Sequence, residues 1–584
     1  MDQKGLSAID IMEAPRGSLI LLTGPPGAGK STFCHQVVLN GLAMDRPVIF
    51  VTTEQGSAEI IRLLRERGMG ELPPGALNFV DVFAQTVGVA TTERPDTIHA
   101  NCEDLNSLSM AIAKLQQRIG KKDVLLAFDS LTSPYLFNKE QVFRFITLCL
   151  LKFAAEENSV LALVDEGCGK EEDLVAMMSV ADGIIRMEAG QASRIITVVK
   201  HPELSPTTME VPVAERPMIS FDSFDDRLVM RSLGEAASSA GAQALRTVVG
   251  ERVNMLWKNL AFWSGMLWDP KRFPRMMYEF DRAFHARARE ALALAPWYQR
   301  LLMKLLMPKS MSEVRDMKRF ASRFIKTTHA ATGIWEYLEN ASKKDEHYFR
   351  VHENASCWAL RDVGARLAFP DLGSMAGILS SVEAEQRGWN LLETKCVGTG
   401  SPYCEFKAAP AQTDELNDFL EGIDSSIVEE VHHHLMDQLT GFLIRREPLP
   451  ERPKLGGDVP SSVMLMVTSV PALVSDRYRT ALGMGGAKVG KEIGEHLQDA
   501  GIEPDDAIRR VMDFLEHCKV GKVTLGDTIK MVQNCESFGL EAEEPTCFFT
   551  TGFLNGLFSA VRNQHVREVK CIAAGDPYCE WEIM

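Results

Sequence analysis

The sequence predicts an α/β protein in which a mostly parallel sheet, covered by helices, is followed by two smaller α+β domains. Apolar, β-branched runs alternate with helical stretches over the first 232 residues, a pattern typical of parallel sheets. A glycine-rich motif follows the first run directly, and a fourteen-residue stretch occurs twice in the rest of the chain. The predicted strands are LILLTG, PVIFVTTE, DVLLAFDS, SVLALVDE and RIITVVK.

The repeated stretch divides the remainder of the chain. ETKCVGTGSPYCEF, the first cassette, begins at Glu393, and EVKCIAAGDPYCEW, the second cassette, begins 175 residues later at Glu568, with eight of fourteen letters in register. Two copies at this spacing predict a duplicated domain and not a repeat array. Polar, aperiodic stretches at 234–244 and 409–424 are typical of connections. The predicted domains are residues 1–232, 245–409 (first copy) and 425–584 (second copy).

Charge argues against nucleic acid as a general partner. The 584 residues carry a net charge of −16, which disfavours broad binding to a polyanion. The segment 251–326 is an exception, with sixteen Lys or Arg against seven Asp or Glu. Solvated faces of amphipathic helices are the favoured interpretation of this segment, and a surface for an anionic partner is the alternative.

The chain is expected to be cytoplasmic. It has no apolar run near the roughly 18 residues that a membrane helix needs, and the start, MDQKGLSAIDIMEAP, has no signal-peptide pattern. Twelve cysteines in such a protein are expected to be reduced thiols. Clusters among them indicate metal ligands or redox chemistry.

A phosphate-binding loop is predicted at residues 24–31. GPPGAGKS matches the pattern G-x-x-x-x-G-K-[ST] between the strand LILLT and the helix TFCHQVVLNGLAM. Backbone amides of such a loop surround phosphate oxygens, and the helix N-terminus adds positive partial charge. Lys30 would reach the β and γ phosphates of ATP, and the Ser31 hydroxyl would hold Mg²⁺. The predicted nucleotide ligands are Gly24, Pro25, Pro26, Gly27, Ala28, Gly29, Lys30, Ser31, Thr32 and Asp129.

Acidic residues at strand ends are the candidate catalytic groups. Asp129, after the apolar run of DVLLAFDS, is expected on a neighbouring strand as the second Mg²⁺ ligand. Glu54, at the end of PVIFVTTE, is the candidate base that polarises an attacking water. The alternative for Glu54 is an ordinary surface residue at a strand end. Asp165 and Glu166 are secondary candidates.

RGSLILLTGPPGAGKSTF, the strand ending in Glu54, and LLAFDSLTSPY together resemble the RecA/KaiC family of ATPases over about residues 1–232. The resemblance implies Mg²⁺-dependent ATP hydrolysis in a homo-oligomer (a dimer or hexamer), with Glu54 activating water. KaiC-like members usually carry two adjacent glutamates, so the pair Glu54-Gln55 implies slow hydrolysis. In that family, a Lys and an Arg on a late strand often reach the nucleotide of the neighbouring subunit. This sequence offers Lys200 there but no following arginine, so activation across a subunit interface stays open. DNA-binding loops are not evident, so the KaiC-like branch is favoured.

The cassettes predict metal sites of unequal quality. In each, a Glu precedes the first Cys by three residues, and the second Cys follows eight residues later. Thiolates on either side of a Gly-Pro turn can bind one Zn²⁺. Cys547 supplies a fourth ligand only to the second cassette, because the matching segment of the first copy has no cysteine and Cys357 is expected to be too far away. The alternative is buried, reduced thiols beside a turn. The candidate ligands are Cys547, Glu568, Cys571 and Cys579, and, less complete, Glu393, Cys396 and Cys404.

CFFTTGFLNGLFSAVRNQHVREVKCIAAGDPYCEWEI resembles the C-terminal half of the 4-vinyl-reductase domain. That family includes the sensor domains of phenol-responsive transcription activators. The resemblance implies an α+β fold around an apolar pocket for a small hydrophobic or aromatic ligand, with zinc on Cys547, Glu568, Cys571 and Cys579. Seven of the eight tryptophans lie in the first copy. They are expected either to line that pocket or, as aromatics at helical spacing usually do, to form core. The run 432–434, three histidines on a helix, is expected at the surface.

These observations support three functional hypotheses. The leading one is a signalling ATPase, in which the tandem domains sense a small apolar ligand or a partner and bias nucleotide binding or assembly. The second is a nucleotide-dependent oligomeric scaffold whose C-terminal domains dock proteins. The third is a RecA-like ATPase acting on DNA. A true vinyl reductase is disfavoured because the sequence has no dinucleotide-binding fingerprint.

Overall fold

The computed structural model describes residues 14–89, 94–189, 193–212, 246–286, 310–328, 332–382, 388–410, 416, 420 and 423–584. The chain divides into two compact units, residues 1–217 and 218–584. The predicted linker 234–244, most of the predicted connection 409–424, and Trp297 lie outside the described residues. None of the helices described in these ranges is both long enough and apolar enough to span a membrane.

The N-terminal unit is built from nine strands and the helices between them, counted over its described residues. The strands are β1 Ser18–Gly24, β2 Val48–Thr52, β3 Leu77–Asp81, β4 Thr97–His99, β5 Leu125–Asp129, β6 Ser159–Asp165, β7 Gly183–Ala189, β8 Ser193–Lys200 and β9 Thr207–Pro212. The helices are α1 Lys30–Ala43, α2 Ser57–Glu66, α3 Phe83–Val87, α4 Leu105–Ile119, α5 Thr132–Phe137, α6 Lys139–Phe145, α7 Leu151–Ala155 and α8 Glu171–Val180.

These nine strands form one sheet in the order β4-β3-β2-β5-β6-β1-β7-β8-β9. Neighbours from β4 to β7 are parallel, and the last two pairs are antiparallel. β1, β2 and β5 are buried along their whole length, as expected for strands covered on both faces. All five predicted strands are present, and the mostly parallel sheet is confirmed. β3, β4, β7 and β9 were not predicted.

Over its described residues, the C-terminal unit contains two four-stranded sheets, one two-stranded sheet and a group of packed helices. Its strands are β10 Arg252–Asn254, β11 Ile334–Tyr337, β12 His347–His352, β13 Trp389–Lys395, β14 Cys404–Pro410, β15 Asp458–Pro460, β16 Lys522–Leu525, β17 Thr528–Val532, β18 Val566–Lys570 and β19 Cys579–Ile583. Its helices are α9 Met255–Met266, α10 Phe273–Ala286, α11 Val314–Thr328, α12 Phe369–Val382, α13 Ser425–Thr440, α14 Ser461–Val467, α15 Ser469–Val474, α16 Asp476–Asp499, α17 Pro504–His517 and α18 Phe548–Arg562.

The two predicted copies have the same sheet topology. The first copy has the order β11-β12-β14-β13 and the second has β16-β17-β19-β18, so each sheet is antiparallel with its strands in the order 1-2-4-3. The strand register shifts at the same place in both cassettes, just after Glu393 and just after Glu568. A long helix, α12 or α18, precedes the third strand of each copy. This correspondence supports the duplication.

Close helix pairs stabilise each copy. α10 packs on α12 in the first copy, and α16 packs on α18 in the second. Glycines allow the second pair to approach closely. A Cβ on Gly490 would lie 2.0 Å from the Phe553 carbonyl oxygen, and one on Gly556 would lie 2.1 Å from that of Ala487. Larger residues at these positions would force the helices apart.

The copies are interlocked through their N-terminal segments. β10 of the first copy pairs with β15 of the second. The Arg246 guanidinium donates to the carbonyls of Gln533 and Val520 in the second copy. In the reverse direction, Arg452 donates to the Glu353 carbonyl of the first copy. Since each arm is held by the other copy, residues 218–584 form a single compact unit, and the boundaries predicted within it stay a prediction.

Candidate nucleotide-binding and metal sites

The phosphate-binding loop lies between β1 and α1, as expected. Gly24 needs to be glycine because its φ is 141° and a Cβ there would lie 2.0 Å from the Met187 carbonyl oxygen. The Lys30 side chain is 5% exposed and folds back over the loop. Its Nζ donates to the carbonyl oxygens of Gly24 at 2.8 Å and Pro25 at 2.9 Å. The ammonium is therefore held at the loop where a phosphate would lie.

Asp129 lies beside the predicted Mg²⁺ ligand. The Ser31 hydroxyl donates to Asp129 Oδ1 at 3.2 Å. Burial raises the pKa of Asp129 to about 7, the hydroxyl of Ser31 and the ammonium of Lys30 lower it, and the carboxylate of Asp165 raises it. Such a carboxyl and hydroxyl pair offers two hard oxygen ligands, which suit Mg²⁺. These side chains fit the ion, and its binding there stays a prediction.

The expectation that Asp129 ends a strand next to β1 was wrong. β6 lies between β1 and β5, so the strand that ends beside the loop strand carries Asp165. Asp165 forms an ion pair with Lys30 at 2.7 Å, and Thr132 Oγ1 donates to its other oxygen at 3.2 Å. A residue treated as secondary in the sequence is thus the one that contacts the loop lysine. Glu166, the next residue, pairs with Arg186 at 3.0 Å.

Glu54 lies two residues after the end of β2, which is next to β5 in the sheet. Thr52 is in register with Asp129. Thr53 is tied to the end of β5, because its amide donates to the Asp129 carbonyl at 2.8 Å and its hydroxyl donates to the Ser130 carbonyl at 2.9 Å. Glu54 is half-buried at this same carboxyl edge of the sheet. The position fits a residue that activates water, and that role stays a prediction.

Arg194, which was not predicted from the sequence, lies over the phosphate-binding loop. Its Nε is 3.4 Å from the position that a Cβ would take on Gly29. Arg194 is the second residue of β8, across the antiparallel β7–β8 pair from Ala189. It begins the predicted strand RIITVVK, and only the hairpin geometry reveals its proximity to the loop. Lys200, at the other end of β8, donates to the Ala181 carbonyl at 2.7 Å.

The second cassette brings its four predicted ligands together. One ligand atom from each of Cys547, Glu568, Cys571 and Cys579 lies within 4.8 Å of the others, and all four residues are buried. The Cys547 sulfur is 3.7 Å from that of Cys571 and 3.4 Å from that of Cys579. Cys547 comes directly before α18, and the other cysteines flank the turn between β18 and β19. The fold therefore joins ligands that are 32 residues apart in sequence.

This donor set fits Zn²⁺. Three sulfurs and one carboxylate are ligands that zinc takes in tetrahedral sites. Burial raises the pKa of Glu568 well above its usual range, and its Oε1 has no hydrogen-bond partner among the described residues. Burying a carboxyl oxygen without a partner is costly, and a bound cation would remove that cost. Zinc on Cys547, Glu568, Cys571 and Cys579 would hold the β18–β19 turn against α18.

The first cassette also has four candidate ligands, which corrects the sequence prediction. Cys357 was expected to be too far away, yet its sulfur is 3.7 Å from that of Cys396. The Cys396 and Cys404 sulfurs are 4.0 Å apart, and Glu393 completes the buried group. From sequence, the fourth ligand was expected only at the position that matches Cys547. The turn that carries Cys357 folds back onto the sheet, and sequence distance did not reveal this.

The tryptophans of the first copy that lie in described ranges are mostly core. Trp257 packs edge-on against Phe549 at 5.0 Å and Phe553 at 5.1 Å between ring centroids. Trp263 packs against Phe369. Trp257, Trp263, Trp268, Trp335 and Trp389 are buried. Of the two interpretations, these five side chains favour core over pocket lining.

The histidine run was expected at the surface, and this was wrong for its first member. His432 is buried, and its Nε2 is 2.6 Å from Glu492 Oε2. The cause is the helical period of α13, which turns His432 inward while His433 is exposed.

Fold and site together define a protein with an N-terminal P-loop domain and a C-terminal α+β unit that contains cysteine-rich sites. A family model of the KaiC ATPase matches residues 4–211, and a model of the 4-vinyl-reductase domain matches residues 528–584. The chain therefore carries a KaiC-like ATPase domain at its N-terminus and a 4-vinyl-reductase domain at its C-terminus, which confirms both resemblances.

Three similar proteins each match about a third of this chain. A UPF0273 protein of Pyrococcus horikoshii is 28% identical over 205 residues, which are 32% of this chain and 77% of the relative. A UPF0273 protein of Aeropyrum pernix is 29% identical over 190 residues, 30% of this chain and 71% of the relative. A solved KaiC-like protein of Pyrococcus horikoshii is 17% identical, with a TM-score of 0.26 over 34% of this chain and 86% of its own.

Proposed function

We propose that the protein is a regulatory ATPase that binds Mg²⁺-ATP, hydrolyses it slowly, and is controlled by its C-terminal unit. The observation that carries the ATPase part is the arrangement of Lys30, Ser31 and Asp129 at the loop between β1 and α1. An ammonium, a hydroxyl and a carboxyl converge there. These are the three groups that a nucleoside triphosphate and its metal ion require.

Residues around this core take distinct roles in the proposal. Lys30 would exchange its ion pair with Asp165 for the β and γ phosphates. Arg194, lying over Gly29, would add positive charge on the same side of the loop. Glu54 would polarise the attacking water. Because Gln55 stands where KaiC-like members usually carry a second glutamate, the expected rate is low.

The regulatory part rests on the joining of the domains in one chain. The C-terminal unit would bind a small apolar ligand or a partner, and this binding would shift nucleotide affinity or homo-oligomer assembly. A shift of this kind requires that the ligand bind the two states of the ATPase with different affinity. The thiol ligands must stay reduced, so the proposal places the protein in the cytoplasm.

Phosphate release by the full-length protein tests the ATPase part. Wild type should release phosphate only with Mg²⁺, and Lys30→Ala should abolish nucleotide binding. Lys152→Ala, a change at a lysine near the end of the helical stretch 139–155, is the matched control and should leave the rate unchanged. A Mg²⁺-independent rate, or one unchanged in Lys30→Ala, would refute the assignment.

The regulatory part needs a separate measurement. Simple phenols and alkylbenzenes are the probes, with binding first measured by tryptophan fluorescence. A bound probe should change the rate of phosphate release or the native mass in ATP. Binding with both quantities unchanged would exclude regulation by such ligands.

A nucleotide-dependent scaffold is the second candidate. The buried aromatic packing around Trp257 favours it, since side chains occupy the space between α9 and α18. In a scaffold, ATP would change the native mass of the protein, and apolar probes would not bind. Because ATP-dependent assembly is compatible with both candidates, binding of the apolar probes, measured by tryptophan fluorescence, separates them: it is expected for the regulatory ATPase and absent for the scaffold.

A further inference from the structure

We propose that the first copy holds its own Zn²⁺, on Cys357, Glu393, Cys396 and Cys404, with its fourth ligand supplied from a different structural element than in the second copy. This inference does not depend on the proposed ATPase function. It rests on the positions of the four side chains and on a comparison of the two copies.

The sulfur separations match one tetrahedral ion. Zn–S bonds of about 2.3 Å at tetrahedral angles place sulfurs about 3.8 Å apart. The Cys396 sulfur is 3.7 Å from that of Cys357 and 4.0 Å from that of Cys404. Disulfides need about 2 Å between sulfurs, and all three cysteines are free thiols. One ion can therefore bind the three sulfurs without a change of fold.

Two further contacts indicate a metal. The amides of Leu367 and Gly398 both donate to the Cys396 sulfur at 3.3 Å, as expected for a sulfur that carries negative charge. Oε2 of Glu393 accepts from the Ala368 amide at 3.0 Å, while its buried Oε1 has no partner among the described residues. A cation among the sulfurs would give this oxygen its partner.

The turn before each helix shows where the ligand moved. Asn354 and Asn534 begin equivalent turns, because the side chain of each accepts from the amide two residues later. Cys357 and Ser537 both follow three residues after these asparagines. In the second copy, Ser537 Oγ is 3.1 Å from the Cys579 sulfur. The turn position thus reaches the site in both copies, and it is a cysteine only in the first.

At the residue before the helix, the difference between the copies is the opposite, because the cysteine is in the second copy. The amides of Leu367 and Thr546 donate to Cys396 and Cys571 respectively, so these two residues are equivalent. The next residues, Ala368 and Cys547, are then equivalent as well, and each immediately precedes a helix. The first copy has its fourth cysteine in the turn and alanine at the helix start. The second copy has serine in the turn and cysteine at the helix start.

The core around the site also contains a positive charge that offsets the net negative charge of the occupied site. Three thiolates and a carboxylate around a divalent ion leave two net negative charges. Lys258 is buried, and its ammonium donates to Ser356, the residue before Cys357, at 3.3 Å. A cation is therefore already present in the same core. The soft sulfur set and the closed, buried geometry select Zn²⁺ over Mg²⁺ or Ca²⁺.

Metal content of the full-length protein tests the inference. Wild type, desalted after exposure to Zn²⁺, should contain two zinc ions per chain by elemental mass spectrometry. Cys357→Ser should contain one, Cys547→Ser one, and the double variant none. Cys535→Ala is the matched control, since Cys535 is buried in the equivalent turn but lies outside both sites; it should keep two ions.

A second variant, the relocation variant, distinguishes the loss of a zinc ligand from misfolding. Cys357→Ser combined with Ala368→Cys places the fourth sulfur where the second copy has it, and should restore two ions. With Co²⁺ in place of Zn²⁺, near-ultraviolet thiolate-to-cobalt absorption should halve in Cys357→Ser and recover in the relocation variant. One ion in wild type, an unchanged count in Cys357→Ser, or no recovery in the relocation variant would overturn the inference.

Discussion

Acid should destabilise the N-terminal unit through His35, a buried histidine on α1. His35 is 2% exposed, and neither ring nitrogen has a hydrogen-bond partner among the described residues. Burial, with a smaller contribution from the charge of Arg67, lowers the pKa of His35 from 6.5 to about 4. The folded state therefore resists protonation that the unfolded state accepts. The perturbation that tests this is His35→Phe, since the ring already packs beside Phe50.

The sign and size follow from proton linkage. Between pH 6.5 and 4 the unfolded chain binds more protons, so stability is fully present above pH 6.5 and is lost as the pH falls through this window. Each unit of pKa difference corresponds to about 1.4 kcal/mol. Going from pH 7.5 to pH 5 should cost wild type about 2 kcal/mol more than His35→Phe. Other titrating groups are common to both proteins and cancel in this difference.

Pulse proteolysis in urea can measure the difference in the full-length protein. All eight tryptophans lie at or after Trp257, so tryptophan emission reports the C-terminal unit as an internal control. His99→Phe, on the edge strand β4, is the matched histidine control. Equal losses of stability in wild type and His35→Phe between these pH values would refute the reasoning.

Three further changes test other parts of the structure. Gly24→Ala should abolish ATP binding, measured with a fluorescent nucleotide, because the new Cβ would lie 2.0 Å from the Met187 carbonyl oxygen; unchanged affinity would contradict the loop geometry. Asp165→Asn removes the ion pair that holds Lys30 and should change ATP affinity severalfold, as measured by calorimetry. Asp173→Asn is the control, and an effect of Asp165→Asn no larger than that of the control would show that the ion pair has no role in ATP binding. Gly490→Val should destabilise the C-terminal unit by about 3 kcal/mol in urea denaturation followed by tryptophan emission, because it separates α16 from α18; a loss no larger than that of the exposed control Gly526→Ala would contradict the close packing.

Much of the nucleotide site could be predicted from sequence, because its residues lie within a few positions of a motif. Gly24 to Ser31 are contiguous, and Asp129 and Glu54 each end a recognisable apolar run. The strand order could not be predicted in this way. Hydrogen bonding between distant segments places β6 beside β1, and this pairing brings Asp165, not Asp129, to Lys30.

The metal sites show the same limit more clearly. The cysteines of each cassette are close in sequence, and a single turn joins them. The fourth ligand comes from another element, and its sequence distance differs between the copies, 24 residues for Cys547 and 39 for Cys357. A search for the fourth ligand at a spacing of 24 residues finds Cys547 in the second copy and misses Cys357 in the first. Only the folded turn that begins at Asn354 reveals the exchange of positions.

The most direct test of the central claim is a single-turnover comparison of wild type and Glu54→Gln with Mg²⁺-ATP. Both proteins should bind ATP with similar affinity, because Glu54 is proposed to act on water and not on the nucleotide. Wild type should then convert the bound ATP to ADP and phosphate, and Glu54→Gln should be slower by at least about a hundredfold. Equal rates of conversion in the two proteins would contradict the account.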